Sequence, residues 1–177
     1  FHYMNAYDEN GSINCDLMEF GVPPLFPYAD GSMPEQKDAE ARHVRWQIDL
    51  NKGKIDKTIM DDLTGEFPRI DDRFALQKNS HGYYAGNIGK HPKGMSLNTI
   101  VHYNFLTEER EHYTTKDGGA VGEPVFIPKS NNSNDGEGWL VATEYNANEN
   151  RSNLIILDAM NVADGPVAVA QLPHRVP

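Results

Sequence analysis

Eleven short runs rich in β-branched and aromatic residues, each closed by turn formers, restrict this chain to a fold built of strands. The runs lie at 1–7, 12–18, 43–50, 54–60, 81–87, 98–105, 110–114, 124–127, 139–145, 153–158 and 167–172. Each is bounded by Gly, Pro, Asn, Asp or Ser, the signature of strands. No stretch sustains the 3.6-residue apolar period of an amphipathic helix. The connections carry hairpin chemistry: Glu9-Asn10-Gly11, Asn51-Lys52-Gly53, Leu106-Thr107-Glu108-Glu109 and Asn148-Glu149-Asn150. An all-β sandwich, barrel or propeller of antiparallel strands is therefore expected.

Three segments help choose among these. Arg45-Trp46-Gln47-Ile48-Asp49-Leu50, Ile100-Val101-His102-Tyr103-Asn104-Phe105 and Asn153-Leu154-Ile155-Ile156-Leu157-Asp158 share an alternating pattern that ends in a turn. Their spacing of about 50 residues is a propeller-blade period. Two connections are longer, 21–40 and 65–80, and long loops on a rigid β scaffold often carry function. The first holds Val22-Pro23-Pro24-Leu25-Phe26-Pro27-Tyr28, suited either to a lid over an apolar tunnel or to packing on a neighbouring blade.

With 16 Lys and Arg against 26 Asp and Glu, the net charge of −10 speaks against a nucleic-acid partner. The apolar runs fall far short of the roughly 18–20 residues that span a bilayer, so no transmembrane helix or secretory leader is expected, and peripheral membrane contact stays open. The single cysteine, Cys15, has no internal disulfide partner. It reads as an inert core thiol rather than a nucleophile, compatible with a reducing, cytoplasmic compartment.

Local motifs for chemistry are sparse. The seven histidines, at 2, 43, 81, 91, 102, 112 and 174, include no His-x-x-x-His pair. The stretch Asp117-Gly118-Gly119-Ala120-Val121-Gly122 lacks a phosphate-loop lysine, and no nucleophile elbow occurs. A propeller metal site, however, draws one ligand per blade from distant inner strands. A lone histidine heading an alternating strand, as in Phe1-His2-Tyr3-Met4-Asn5-Ala6-Tyr7-Asp8-Glu9, is what such a site would show. On the residues alone, a structural histidine is the commoner reading. Glu66 and Glu123 each sit in an apolar, proline-bearing stretch where a buried carboxylate needs a partner. That partner is either the N–H of a metal-bound histidine or, more ordinarily, a salt bridge such as Glu66 with Arg69 or Arg73.

Four motifs stand in a telling order: Phe1 to Glu9 as written above, Gly65-Glu66-Phe67-Pro68-Arg69-Ile70-Asp71, Gly122-Glu123-Pro124-Val125-Phe126-Ile127-Pro128 and Leu172-Pro173-His174-Arg175-Val176-Pro177. Together, over essentially the whole chain, they resemble the carotenoid cleavage oxygenases, which include carotenoid, apocarotenoid and lignostilbene dioxygenases. The resemblance implies a seven-bladed β-propeller with Fe(II) on its axis, held by four histidines, three of them braced by glutamates. It implies that residues 1–177 are the carboxyl-terminal portion of a single propeller domain, incomplete at both ends. About three blades of antiparallel strands, with long loops over one face, are then expected.

By the same resemblance His2 is an iron ligand, and Glu66 and Glu123 are two of the bracing carboxylates. His174 is not a ligand, because the family's fourth histidine follows the Leu-Pro-His-Arg-Val-Pro stretch. Phe67, beside a brace, and Phe26, in the apolar loop, are candidates for lining the substrate channel, with a plain core role open for each. The implied reaction cleaves one C=C bond of a hydrophobic conjugated substrate, an apocarotenoid or a stilbene, with O2 to give two carbonyl products. This portion alone is expected to be inactive. Two other readings remain: a non-catalytic propeller that binds partners through its acidic surface, and a propeller hydrolase using Asp71 and Asp72.

Overall fold

A computed structural model describes residues 1–35, 37–89, 97–116 and 118–176; His91, Asp117 and Pro177, named above, lie outside them. The chain is all-β and antiparallel. Its strands are β1 (His2–Glu9), β2 (Ser12–Phe20), β3 (Ala41–Asp49), β4 (Lys54–Arg69), β5 (His81–Gly86), β6 (Thr99–Asn104), β7 (Glu109–Thr114), β8 (Ala120–Val121), β9 (Val125–Pro128), β10 (Gly138–Asn146), β11 (Arg151–Asp158) and β12 (Pro166–Gln171). Two single-turn 3-10 helices, Asp72–Phe74 and Val162–Asp164, interrupt them.

The turns form where their chemistry predicts. Asn10 and Gly11 both take positive φ, 52° and 78°, and close a two-residue loop between the paired Glu9 and Ser12. Residues with positive φ likewise sit in the other three hairpin turns: Gly53, Glu108 and Asn150.

Strands β1 to β7 form one antiparallel path in chain order, and β12-β11-β10-β8 form a second sheet in which β9 also pairs with β10. Strand β4 serves two meanders. Lys54 to Ile59 and Thr64 pair with β3, whereas Gly65, Glu66 and Arg69 pair with β5. This corrects the expected 65–80 loop, whose first part is strand. Gly65 permits the close approach, since a Cβ there would lie 2.6 Å from both the Ala85 carbonyl oxygen and the Tyr84 ring. Pro68, which has no N–H for a ladder, falls where the register skips between Glu66 and Arg69. Strand β8 was not anticipated either, because two residues carry no readable alternation.

The three related segments lie in β3, β6 and β11. Each is the third strand of a four-strand meander, in β1–β4, β4–β7 and β9–β12 respectively. The middle meander is covered on both faces. Tyr83 and Ile100 pack with Leu140, Ile155 and Leu157 of the third, while Tyr84 and Val101 pack with Met4, Met18 and Ala41 of the first. The two-residue period of a strand sends neighbours to opposite faces, so every residue of β5 is buried. Cys15 is buried and unpaired; burial, then the nearby Asp16, pushes its thiol pKa up, as suits an inert core thiol. Among the described residues, no helix is long and apolar enough to cross a membrane.

Candidate functional site

Strand β1 opens against the second half of β4, and this brings His2 onto Glu66. The imidazole Nδ1 lies 2.7 Å from Glu66 Oε2. The same oxygen accepts the Phe67 amide N–H at 2.6 Å. With Glu66 ionised, Nδ1 must carry the proton, which leaves the Nε2 lone pair free to ligate. The histidine side chain is 65% exposed and the glutamate 13%, so the carboxylate is the embedded anchor and the imidazole the presented group.

Phe67 holds this arrangement in a strained backbone. Its φ of 58° lies in the left-handed region, uncommon for a bulky side chain. The conformation coincides with the register skip in β4 and turns the Phe67 N–H onto the carboxylate of its own neighbour.

The ordinary salt bridge expected for Glu66 does not form. Arg69 Nη2 instead meets Glu123 Oε1 at 2.5 Å, and Arg73 Nη2 meets Asp71 Oδ2 at 2.5 Å. The arginines are close to Glu66 in sequence, but sheet pairing delivers a histidine 64 residues away. Glu123, in the link ahead of β9, is 41% exposed and joins the second meander to the third through Arg69. No described histidine hydrogen-bonds or ion-pairs with it.

Beside His2 an apolar cleft of about 570 Å³ is bounded by Phe1, Phe20, Glu66, Phe67 and the proline-stiffened segment 21–26, so Phe26 and Phe67 share its wall. The stiff loop thus lies over the face that presents the imidazole. His174 stands apart: its side chain is exposed, and its carbonyl accepts the Ser152 N–H at 3.2 Å. Asp71 binds the Arg73 guanidinium through both oxygens and is 1% exposed, so it is not free to act as the hydrolytic carboxylate considered above.

Among the described residues, no group of three or more His, Cys, Asp or Glu side chains could enclose a metal ion. What the described residues offer is one exposed, carboxylate-braced imidazole with an unengaged nitrogen, which fits a single ligand of a shared site.

Sequence reading missed the Phe67 backbone and a buried relay in which His81 Nδ1 meets His102 Nε2 at 2.9 Å and His102 Nδ1 meets Glu111 Oε1 at 3.1 Å. The relay's only signal is the alternation of β5 and β6, which does not reveal contacts.

The sequence profile described as retinal pigment epithelial membrane protein matches residues 1–177. The chain belongs to this family. Its resemblance to the carotenoid and lignostilbene oxygenases is thereby borne out, and several of the proteins it is similar to are oxygenases by name. Isoeugenol monooxygenase from Pseudomonas putida is 34% identical over 99% of this chain and 39% of its own length. Lignostilbene-alpha,beta-dioxygenase isozyme III from Sphingomonas paucimobilis is 30% identical over 99% of this chain and 38% of its own. Among solved structures, Pseudomonas brassicacearum lignostilbene dioxygenase superimposes with a TM-score of 0.89 at 32% identity, over 99% of this chain and 39% of that one. Cobalt-substituted Synechocystis apocarotenoid oxygenase does so at 0.86 and 26%, over 100% and 37%. The chain thus spans about 39% of the length of the first curated relatives it matches.

Proposed function

We propose that this chain is the carboxyl-terminal portion of one seven-bladed propeller domain, in a non-haem Fe(II)-dependent dioxygenase that cleaves a C=C bond of a hydrophobic conjugated substrate. The substrate is an apocarotenoid or a stilbene, and both atoms of O2 enter two carbonyl products. The observation that carries this reading is the Glu66-braced His2 on the wall of an apolar cleft. Support comes from relatives named as a lignostilbene dioxygenase, a resveratrol cleavage oxygenase and an apocarotenoid oxygenase.

His2 is the iron ligand in this portion, through Nε2, and the other three histidines belong to the rest of the protein. Glu66 holds the His2 proton at Nδ1, fixes the ring plane and raises the basicity of Nε2. Glu123 is the second brace; here its carboxylate is kept in place by Arg69. Phe26 and Phe67 line the cleft, where an apolar conjugated chain displaces water. Fe(II), when bound by neutral imidazoles, supplies the redox chemistry that activates O2. The free thiol of Cys15 accords with a cytoplasmic location.

The test is made on the full-length protein containing this chain. Iron analysis should find metal that His2→Ala removes together with alkene cleavage. Labelling with ¹⁸O2 should mark both carbonyl products. One labelled product would mean monooxygenation, the activity named for the Pseudomonas putida relative. A folded, metal-free protein indifferent to His2→Ala would leave only the non-catalytic propeller.

A further inference from the structure

Behind the Glu66 wall of the cleft lies a second space. A chamber of about 120 Å³ sits among β4, the end of β5 and the segment leading into β3, and it shares Phe20, Glu66 and Phe67 with the cleft. Among the described residues its lining carries two carboxylates, Glu40 and Glu66, and the carboxamide of Asn87, but no lysine, arginine or histidine. Two of these residues hold a buried oxygen that accepts no hydrogen bond, Glu66 Oε1 and Asn87 Oδ1.

Buried acceptors without donors are rare in native proteins, and here two border one cavity. Among the described residues no donor reaches Glu66 Oε1, because His2 and the Phe67 amide both converge on Oε2. That Glu66 Oε1 accepts no hydrogen bond does not depend on which way the Asn87 carboxamide is turned. The chemical complement of such a lining is a small neutral donor. Size narrows it further: at about 30 Å³ per water the chamber holds a few solvent molecules, and it is smaller than the roughly 150 Å³ cavity that accepts benzene. A water or a hydroxyl fits.

We propose that this chamber is a subsite for an O–H donor, hydrogen-bonded to Glu66 Oε1 and Asn87 Oδ1. The donor has two possible sources: solvent water, or a hydroxyl on a substrate whose apolar body lies in the adjoining cleft. Occupancy completes the hydrogen bonding of Glu66 and restrains its carboxylate in the pose that receives His2. The substrate source rests on the proposed function; the solvent source stands without it.

The experiment again uses the full-length protein. Crystals of the substrate-free protein are expected to show ordered water on Glu66 Oε1 and Asn87, absent in Asn87→Leu. In parallel, kcat/KM is measured for para-hydroxystilbene and for stilbene itself. A loss in N87L that is about 2- to 10-fold greater for the hydroxylated substrate, the worth of one net hydrogen bond, assigns the donor to the substrate. Equal losses on both, with ordered water in the wild type, assign it to solvent. A chamber without ordered water, or one filled by a side chain from elsewhere in the protein, overturns the subsite if the hydroxylated substrate suffers no extra loss. Should N87L fail to fold, the wild-type density decides. A protein that holds no iron and cleaves neither stilbene defeats the proposed function, while the crystallographic result still judges the chamber.

Discussion

His2 and Glu66 stand 64 residues apart in sequence and 2.7 Å apart in space, so one hydrogen bond joins the start of β1 to the second half of β4. Glu66→Gln keeps the shape but removes the charge that favours a protonated Nδ1. Metal affinity of the full-length protein should fall about 10- to 100-fold. Titration with Co(II) measures it, and an unchanged affinity rules out the brace.

Phe67 separates backbone from side-chain effects. Glycine tolerates its φ of 58°, so Phe67→Gly should preserve the amide bond to Glu66 while emptying part of the cleft. Valine is β-branched and resists that conformation, so Phe67→Val should destabilise by about 1–3 kcal/mol. Its metal affinity should drop as well. Equal metal affinities in the two variants would show that the strained amide positions nothing.

Arg69 and Glu123 form a half-exposed pair, so Arg69→Ala should cost no more than about 1 kcal/mol of stability. If Glu123 braces an iron ligand contributed by the rest of the protein, Glu123→Gln lowers metal affinity about 10- to 100-fold, well beyond the effect of Arg69→Ala. Small and equal effects would leave Glu123 an ion-pair partner and nothing more.

Burial, reinforced by His102, pushes the His81 pKa from 6.5 down to about 4, and burial lowers His102 too. Well above pH 6.5 His81 is neutral whether folded or unfolded, and its contribution to stability is constant. As pH falls from about 6.5 to about 4 the unfolded chain takes the proton first, so stability drops by up to about 3 kcal/mol and then levels off. Urea midpoints of the full-length protein at pH 7 and pH 5 read this slope, which His81→Asn should flatten.

Residues 1–177 alone should self-associate. Among the described residues β1 pairs only with β2 and β12 only with β11, leaving free ladder edges, and Val167 and Val169 of β12 are exposed. Analytical ultracentrifugation of a stable monomer would count against an incomplete propeller.

By itself the sequence determined most of the local structure: eleven of the twelve described strands, their hairpin turns and the segment repeated as the third strand of each meander. Alternation and positive-φ turn residues act within a few positions, so they can be read along the chain. Ordered motifs also singled out His2, Glu66 and Glu123 before any contact was known. Only the tertiary structure decided their partners. It carried β4 through Gly65 and Pro68, gave Glu66 to a distant imidazole and Arg69 to Glu123, and placed Phe67 in a left-handed conformation between them. Those outcomes depend on which strands lie side by side and where a register skips. That is settled by burying Tyr83 and Tyr84 on opposite faces of one sheet, not by any short stretch of residues.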